Sequence, residues 1–371
     1  MSKGPVSYEL GVVTFHPYSL CMLIVLPFAI WRTAQKPSSY GFRMIEMVII
    51  LLALSYLQST LLSETMLKSG RLAFHALFIP IVSYFICKAL IRNEKEYLIA
   101  MKFLIGSILL FSVATIVLYI QTGLRPVVLE IQPIGVSALV IVAFFYFLYN
   151  KNQWNIFKIT GLLIVSSALI LSMSRVYILF SIVSPVFIKL LKKKAVIIWS
   201  LMFFLTLTMT LVFTYTVEDY SMAHTSADGA KTMERMYDAK HVLRALAGRA
   251  YVYKVALKDF WDSVVFGVGI RVGEIQVTPH NYHVEWLQYG GVIGYLLYAL
   301  IFIFHAKNIS KYIRNDSYLQ VNGLILLGTM TNSLTNGFMH GIMPYIAFII
   351  MGLSEARVNI HKKNIKNQKK I

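Results

Sequence analysis

Apolar residues occupy this chain in runs of about 16 to 22, the length a helix needs to cross a hydrocarbon layer. The runs lie near 14–31, 44–62, 72–91, 98–120, 134–149, 159–173, 176–191, 195–217, 286–305, 319–334 and 341–356. Polar and basic residues fill the gaps. The pattern predicts an all-α fold: a polytopic transmembrane helical bundle of about 11–12 helices, one integral membrane unit over residues 1–371. The stretch from Ile159 to Leu191 admits one long tilted helix with Arg175 in its middle, or two helices joined at Ser174 and Arg175. Charge parity selects the hairpin. With it, Arg32/Lys36/Arg43, Arg92/Lys95/Lys102, Lys151/Lys158, Lys189 and Lys192–Lys194, Lys307/Lys311/Arg314 and the tail 357–371 all fall on one side. That side holds about twenty-one Lys and Arg against about five in the N-terminus and short loops opposite, the asymmetry that marks the cytoplasmic face. The N-terminus is then external and the basic tail cytoplasmic.

One segment differs in kind. Residues 218–285 are polar, nearly balanced in charge and external by the same parity, between the eighth and ninth helices. Met233, Met236, Tyr237, Lys240 and Leu243 recur at helical spacing, and so do Tyr253, Ala256, Leu257 and Phe260. Two amphipathic helices resting on the bundle are expected, a lid rather than a separate domain.

Composition narrows the function. With 57% hydrophobic and 14% charged residues and a mean hydropathy of +0.65, the chain is not a soluble globule. A net charge of +18 could suggest nucleic acid, but the basic residues sit in short clusters between apolar runs, the pattern of loops facing anionic lipid. Nucleic acid is therefore not expected as a partner. Cys21 and Cys87 lie in apolar runs near opposite faces, which predicts neither a disulfide nor a metal site. The first run carries Pro17, Pro27 and a Trp31-Arg32 exit rather than small residues, so no cleaved signal is read there.

Candidate chemistry gathers on the external side. Arg175, in "LSMSRVYIL", is flanked by apolar helix; it either snorkels to headgroups or holds an anion. Arg249 follows Gly248 at what reads as a helix start, where backbone N–H groups would add to its charge and favour a phosphate; alone it could equally be a solvated surface arginine. In "TPHNYHVEWLQYGG", His280 stands before the ninth helix as a base able to take a proton from a sugar hydroxyl, with Asn281, His283 and Glu285 as supporting residues. The plainer reading makes the histidines caps in an interfacial belt of Tyr282, Trp286 and Tyr289. Two histidines and one carboxylate are too few for zinc, and no Asp-x-Asp pair for magnesium lies on this face. No metal and no cofactor is predicted. A diphosphate held by arginines beside a histidine base, at the edge of a lipid-immersed bundle, suits a lipid-linked diphosphate sugar.

Three stretches, "LSMSR" at 171–175, "AGRAYVYKVALKDFWDSVVFGVG" at 247–269 and "PHNYHVEWLQYGGVIGYLLY" at 279–298, resemble in order and spacing the signatures of the O-antigen ligase and O-antigen polymerase superfamily. The resemblance covers about the C-terminal two thirds of the chain. It implies an all-helical membrane transferase, typically of about twelve helices, in the bacterial inner membrane with a periplasmic active site. The implied reaction is a metal-independent, inverting glycosyl transfer from an undecaprenyl-diphosphate-linked glycan. The acceptor would be a glycan or lipid A-core. By the same resemblance Arg175 and Arg249 would bind the diphosphate and His280 would activate the acceptor. Gly290, Gly291 and Gly294 are read as allowing close helix packing.

Within the superfamily, a short external face at 121–133 leans towards a ligase, while "FGVG" followed closely by "PHN" looks more like a polymerase. Polymerase is favoured, with a chain-length regulator as its expected partner; protein O-glycosylation is a third, rarer reading. A flippase or transporter of lipid-linked oligosaccharide would need charges at the membrane midplane, and Glu46 is almost alone in being centred in a predicted span.

Overall fold

The structure, a computed structural model, describes residues 8–10, 13–15, 17–35, 41–61, 66, 70, 73–124, 126–128, 131, 133–150, 155–216, 239–269, 279, 281–332 and 342–368. Among these, a short antiparallel hairpin, β1 (Tyr8–Leu10) with β2 (Val13–Phe15), precedes an all-helical bundle. The helices are α1 (Pro17–Gln35), α2 (Met44–Leu61), α3 (a π turn Phe74–Phe78 continuing as Ile79–Leu90), α4 (Glu94–Thr122), α5 (Pro133–Tyr149), α6 (Ile156–Leu171), α7 (Arg175–Thr216), α8 (Ala239–Asp262), α9 (Tyr282–Ile313), α10 (Ser317–Asn332) and α11 (Met343–Gln368). Four of them, α2, α4, α7 and α9, are long and apolar enough to cross a membrane.

Local sequence explains where they start and stop. Asn93 caps α4 by accepting the Glu96 amide at 2.9 Å, Glu94 and Glu96 favour its positive end, and Gly123 (φ +64°) closes it, its amide donating to the Tyr119 carbonyl at 2.8 Å. The expected hairpin between the sixth and seventh spans is present. α6 ends at Leu171, Met173 adopts a left-handed backbone (φ +54°), and α7 begins at Arg175. α7 then breaks at Lys194 into two arms, which are the expected seventh and eighth spans. α8 lies in the 218–285 segment and takes in the second expected amphipathic stretch together with Lys240 and Leu243, the end of the first, so these two parts form one helix and not two; the rest of the first stretch, Met233 to Tyr237, lies outside the described residues.

Side-chain packing sorts the helix ends into two groups. Leu191 and Ile313 flank Gly323, Trp199 meets Phe302 at 5.6 Å, Phe180 packs on Gly328, and the Tyr177 hydroxyl donates to Met343 Sδ at 3.2 Å. Arg175, Thr216, Ser59 and Met343 therefore share one end, while Arg43, Lys88, Lys192–Lys194, Arg314 and Arg357 share the other. α10, and α11 as far as Ile360, are buried almost all round at the centre. α4 and α7 turn apolar residues outward, Phe103 78% and Leu110 75% exposed. Such apolar outer faces on a bundle with a buried apolar core belong in lipid.

The basic end is closed by buried charge. Glu46 pairs with Lys88 and accepts the Tyr84 hydroxyl at 2.5 Å; it occupies the first turn of α2 rather than the middle of a span. Glu355 pairs with Arg43 and accepts from His305 Nδ1 at 3.2 Å and Asn308 Nδ2 at 3.1 Å. Beyond its apolar run, α11 continues unbroken past Arg357 to Gln368. Arg357 is buried, with its Nε 2.6 Å from Asp316 and a second pair to Glu94. Asp316 also caps α10, accepting the Tyr318 and Leu319 amides at 2.9 and 3.0 Å, and meets His361 Nε2 at 2.6 Å.

Candidate functional site

The ninth helix does not run straight through the bundle. Trp286 stacks on Tyr298 with ring centroids 4.3 Å apart, and Tyr282 meets the same ring at 5.6 Å. In a continuous helix, twelve and sixteen residues would separate these pairs by about 18 and 24 Å along the axis. The break is at Gly291, whose φ of 60° and ψ of −162° end one helical arm and start another. The first arm, 282–290, lies across the second, from the α7 side to the α2 side. At its α7 end Asn281 Nδ2 donates to Thr210 Oγ1 at 2.8 Å, and His283 Nε2 lies 2.8 Å from Thr206 Oγ1. At its α2 end Trp286 sits edge-on to Tyr56 at 5.1 Å, and Ser59 Oγ donates to the Tyr289 carbonyl at 3.0 Å.

The glycine motifs explain how the break is tolerated. The loop 263–269, carrying "FGVG", fills it: the Val268 and Gly269 amides bond the Gln288 and Tyr289 carbonyls at 2.8 and 3.1 Å, and the Val292 and Ile293 amides bond the Val264 and Val265 carbonyls at 2.8 and 3.2 Å. Backbone groups that a broken helix would strand in an apolar interior are thus satisfied by a neighbouring loop. Close packing, the role expected for Gly290, Gly291 and Gly294, holds for all three: Gly290 and Gly294 lie against the Tyr56 ring, and Gly291 lies against the backbone of Val265 and Gly267. Gly291 itself supplies the positive φ.

α8 covers this arm. Tyr253, Ala256, Leu257 and Phe260 form the buried stripe read from the sequence, and it packs on Val284 with Leu287 and Phe213 alongside. Gln288 Nε2 donates to Asp259 Oδ2 at 2.8 Å. Tyr253 is the centre of the polar contact: it shares a hydrogen bond with Asn281 and lies within electrostatic reach of both Arg249 and Glu285. Burial pushes its hydroxyl up to about 12 against the opposing pull of Arg249 and Asn281, and Glu285 adds to the rise. The phenol therefore stays protonated throughout the physiological range.

The candidate residues can now be placed. Asn281 is the N-cap of the first arm, its Oδ1 accepting the His283 and Val284 amides at 2.9 and 3.3 Å. His283 is fully buried, held by Thr206 on one ring nitrogen and by the Tyr295 hydroxyl, 2.9 Å away, on the other. Glu285 is fully buried in the same arm, with Tyr56, Tyr253, Tyr289 and Tyr298 around it. Tyr282, Trp286 and Tyr289 are buried as well, so they form packing inside the fold and not a belt at the lipid surface. Arg249 is half-buried, ten residues into α8 rather than at its start, so no helix N-terminus adds to its charge. Arg175 opens α7, exposed at the same end of the bundle, beside the left-handed Met173. His280 lies outside the described residues, between the buried Pro279 and Asn281.

Sequence reading took Tyr253 only as part of an apolar stripe and passed over Thr206, Thr210 and Tyr295. Two signals for them were available. Tyr253 follows Arg249 by four, on one helix face. Thr206, Thr210 and Thr214 repeat every four residues along the second arm of α7, and all three are buried.

Fold and site together define a polytopic helical membrane protein that gathers buried polar chemistry at the end of the bundle opposite Lys192–Lys194, Arg314 and Arg357. Residues 160–299 match the family described as O-antigen ligase. The matched span takes in all three stretches that carried the resemblance, from before "LSMSR" to the second arm of α9. It supports the kinship with the O-antigen ligase and polymerase superfamily and, in general, glycan transfer at a membrane from a lipid-linked glycan to an acceptor. No curated protein gives a significant match to the chain.

Proposed function

We propose that the protein transfers a glycan from an undecaprenyl-diphosphate donor to a sugar hydroxyl, as a polymerase of surface-polysaccharide repeats in the bacterial inner membrane. One observation carries the reading. The Arg175 turn, the Arg249 helix and the arm that follows His280 share the end of the bundle away from the basic clusters, and Tyr253 ties the second to the third. By the positive-inside rule that end faces the periplasm.

In this mechanism Arg175 and Arg249 hold the donor diphosphate, each able to grip two phosphate oxygens at once. His280 accepts the proton of the acceptor hydroxyl as its oxygen attacks the anomeric carbon from the face opposite the leaving group. The bond from that carbon to the diphosphate oxygen breaks, undecaprenyl diphosphate departs with the electron pair, and the configuration inverts. Asn281, His283 and Glu285 keep the arm in place. The arginines supply the charge that a metal supplies elsewhere, so the reaction is proposed to need none.

The test uses purified protein and a lipid-diphosphate donor in excess EDTA. Retained activity agrees with the reading, and a loss restored by magnesium or manganese overturns the arginine assignment. Deleting the chromosomal copy separates polymerase from ligase: a lost polymerase leaves single repeats on lipid A-core, and a lost ligase leaves none attached.

A further inference from the structure

The outer surface carries a groove that the transfer reaction does not use. It holds about 570 Å³ between α4 and α6, lined by Phe103, Leu110 and Val113 on one side and by Phe157, Thr160 and Ile164 on the other. Its floor is set by Gly106, where a side chain would meet nothing within 4 Å, and by Gly161, against the Phe147 ring. The volume lies in the range of sites that hold a discrete ligand. From the level of Lys102 to that of Val113 it runs about 16 Å, roughly half the thickness of a hydrocarbon layer. The groove thus matches one acyl chain of one leaflet in length, and its walls are almost wholly apolar.

Its polarity is fixed by its ends. Lys102 is exposed at the mouth nearer the basic end, eight residues into α4, while Val113 and Ile164 close the deeper part with carbon alone. A lysine at that depth extends along the helix to the headgroup layer. The groove opens away from the end where Arg175, Arg249 and the α9 arm meet, so a donor held there would not fill it.

We infer that this groove is a binding site for one anionic phospholipid of the leaflet at the basic end, with an acyl chain between α4 and α6 and the headgroup phosphate on Lys102. The lipid would fill a cleft that two packed helices leave open, and so hold α4 against α6.

The test is native mass spectrometry of the full chain purified in mild detergent and exchanged into mixed phosphatidylglycerol and phosphatidylethanolamine. Wild type should retain one phosphatidylglycerol per chain in preference to phosphatidylethanolamine. Gly106→Phe should fill the groove and abolish that retention, and Lys102→Gln should lower the preference by about fivefold, the effect of one lysine near an anionic surface. Should Gly106→Phe fail to give monodisperse protein, Gly106→Leu with Lys102→Gln and Lys102→Arg decides the matter, the arginine keeping the preference. Equal retention of the two lipids, retention unchanged by filling the groove, a polyprenyl chain found in place of the phospholipid, or a second copy of the chain covering α4 and α6 would each overturn the inference.

Discussion

Gly267 and Gly291 meet backbone to backbone: a Cβ built on either would come within 2.5 Å of the other's amide nitrogen. Both also hold positive φ, 68° and 60°. Gly291→Ala and Gly267→Ala should therefore each cost at least about 2 kcal/mol, from backbone strain and from the forced separation of loop and arm. The yield of monodisperse protein and its thermal midpoint in detergent check this, with Gly106→Ala, a helical glycine with open space around it, as the tolerated comparison.

His280 and His283 should separate cleanly. His283→Ala removes a ring bonded at both nitrogens in a sealed interior, so it should destabilise the protein by about 2–4 kcal/mol. Activity per folded molecule should fall much less. His280→Ala should accumulate normally yet lose about 100- to 10,000-fold in transfer, the usual contribution of a general base. A normal chain-length ladder from His280→Ala at normal expression would end the catalytic reading.

Tyr253→Phe keeps the packing against Val284 and Leu287 and deletes only the bond to Asn281. A stability loss of about 1 kcal/mol is expected, with a larger fractional loss of transfer if Arg249 is positioned through this contact. Because the hydroxyl titrates near 12, its contribution is complete below the ordinary tyrosine value near 10 and lost only as pH rises through 12. The transfer pH profile between 6 and 9 should consequently keep its shape in Tyr253→Phe.

Asp316 makes an acid-side prediction. Burial pushes its carboxyl up, but His361, Arg357 and the Leu319 amide together pull it below the usual range. A depressed folded-state pKa gives stability that is present above the ordinary value near 4 and lost as pH falls through the lower folded value. Asp316→Asn should lose about 3 kcal/mol at neutral pH, since Arg357 then loses its buried charged partner and keeps the half-exposed Glu94. The wild-type advantage should shrink steadily below pH 4, and unfolding midpoints at pH 7, 4 and 3 measure it.

Orientation can be tested at the surface. With Cys21 and Cys87 replaced, a cysteine at Leu124, exposed at the Arg175 end, should react with an impermeant thiol reagent on intact cells, and one at Asn315 should not. Ser174 would have been a natural choice from sequence, but it is only 5% exposed.

The spans were legible because lipid imposes a length and a composition on any helix that crosses it, and the Ser174–Arg175 hairpin followed from charge parity alone. The geometry of the ninth helix was not. "WLQYGGVIGYLLY" is apolar but for Gln288, and an apolar run reads the same whether it goes straight or folds across itself. What decides is the φ at Gly291 and a mate for its backbone in "FGVG", and no periodicity reports either. Arg249 was misplaced at a helix start because Gly248 reads as a stop, yet an isolated glycine costs only about 1 kcal/mol inside an otherwise continuous helix. The polar role of Tyr253 was missed since its partner, Asn281, is distant in the chain.

The crosswise arm also bears on assembly. At nine residues it is about 13 Å long, too short to enter the bilayer as a span of its own. Its resting place is built by Thr206 and Thr210 of α7, Tyr56 and Ser59 of α2, and the 263–269 loop. Membrane insertion can thus deliver every long helix and still leave the segment beside His280 without a seat; the arm docks only when its neighbours have closed around it. Chains caught before that last step would be embedded and helical while unable to transfer sugar.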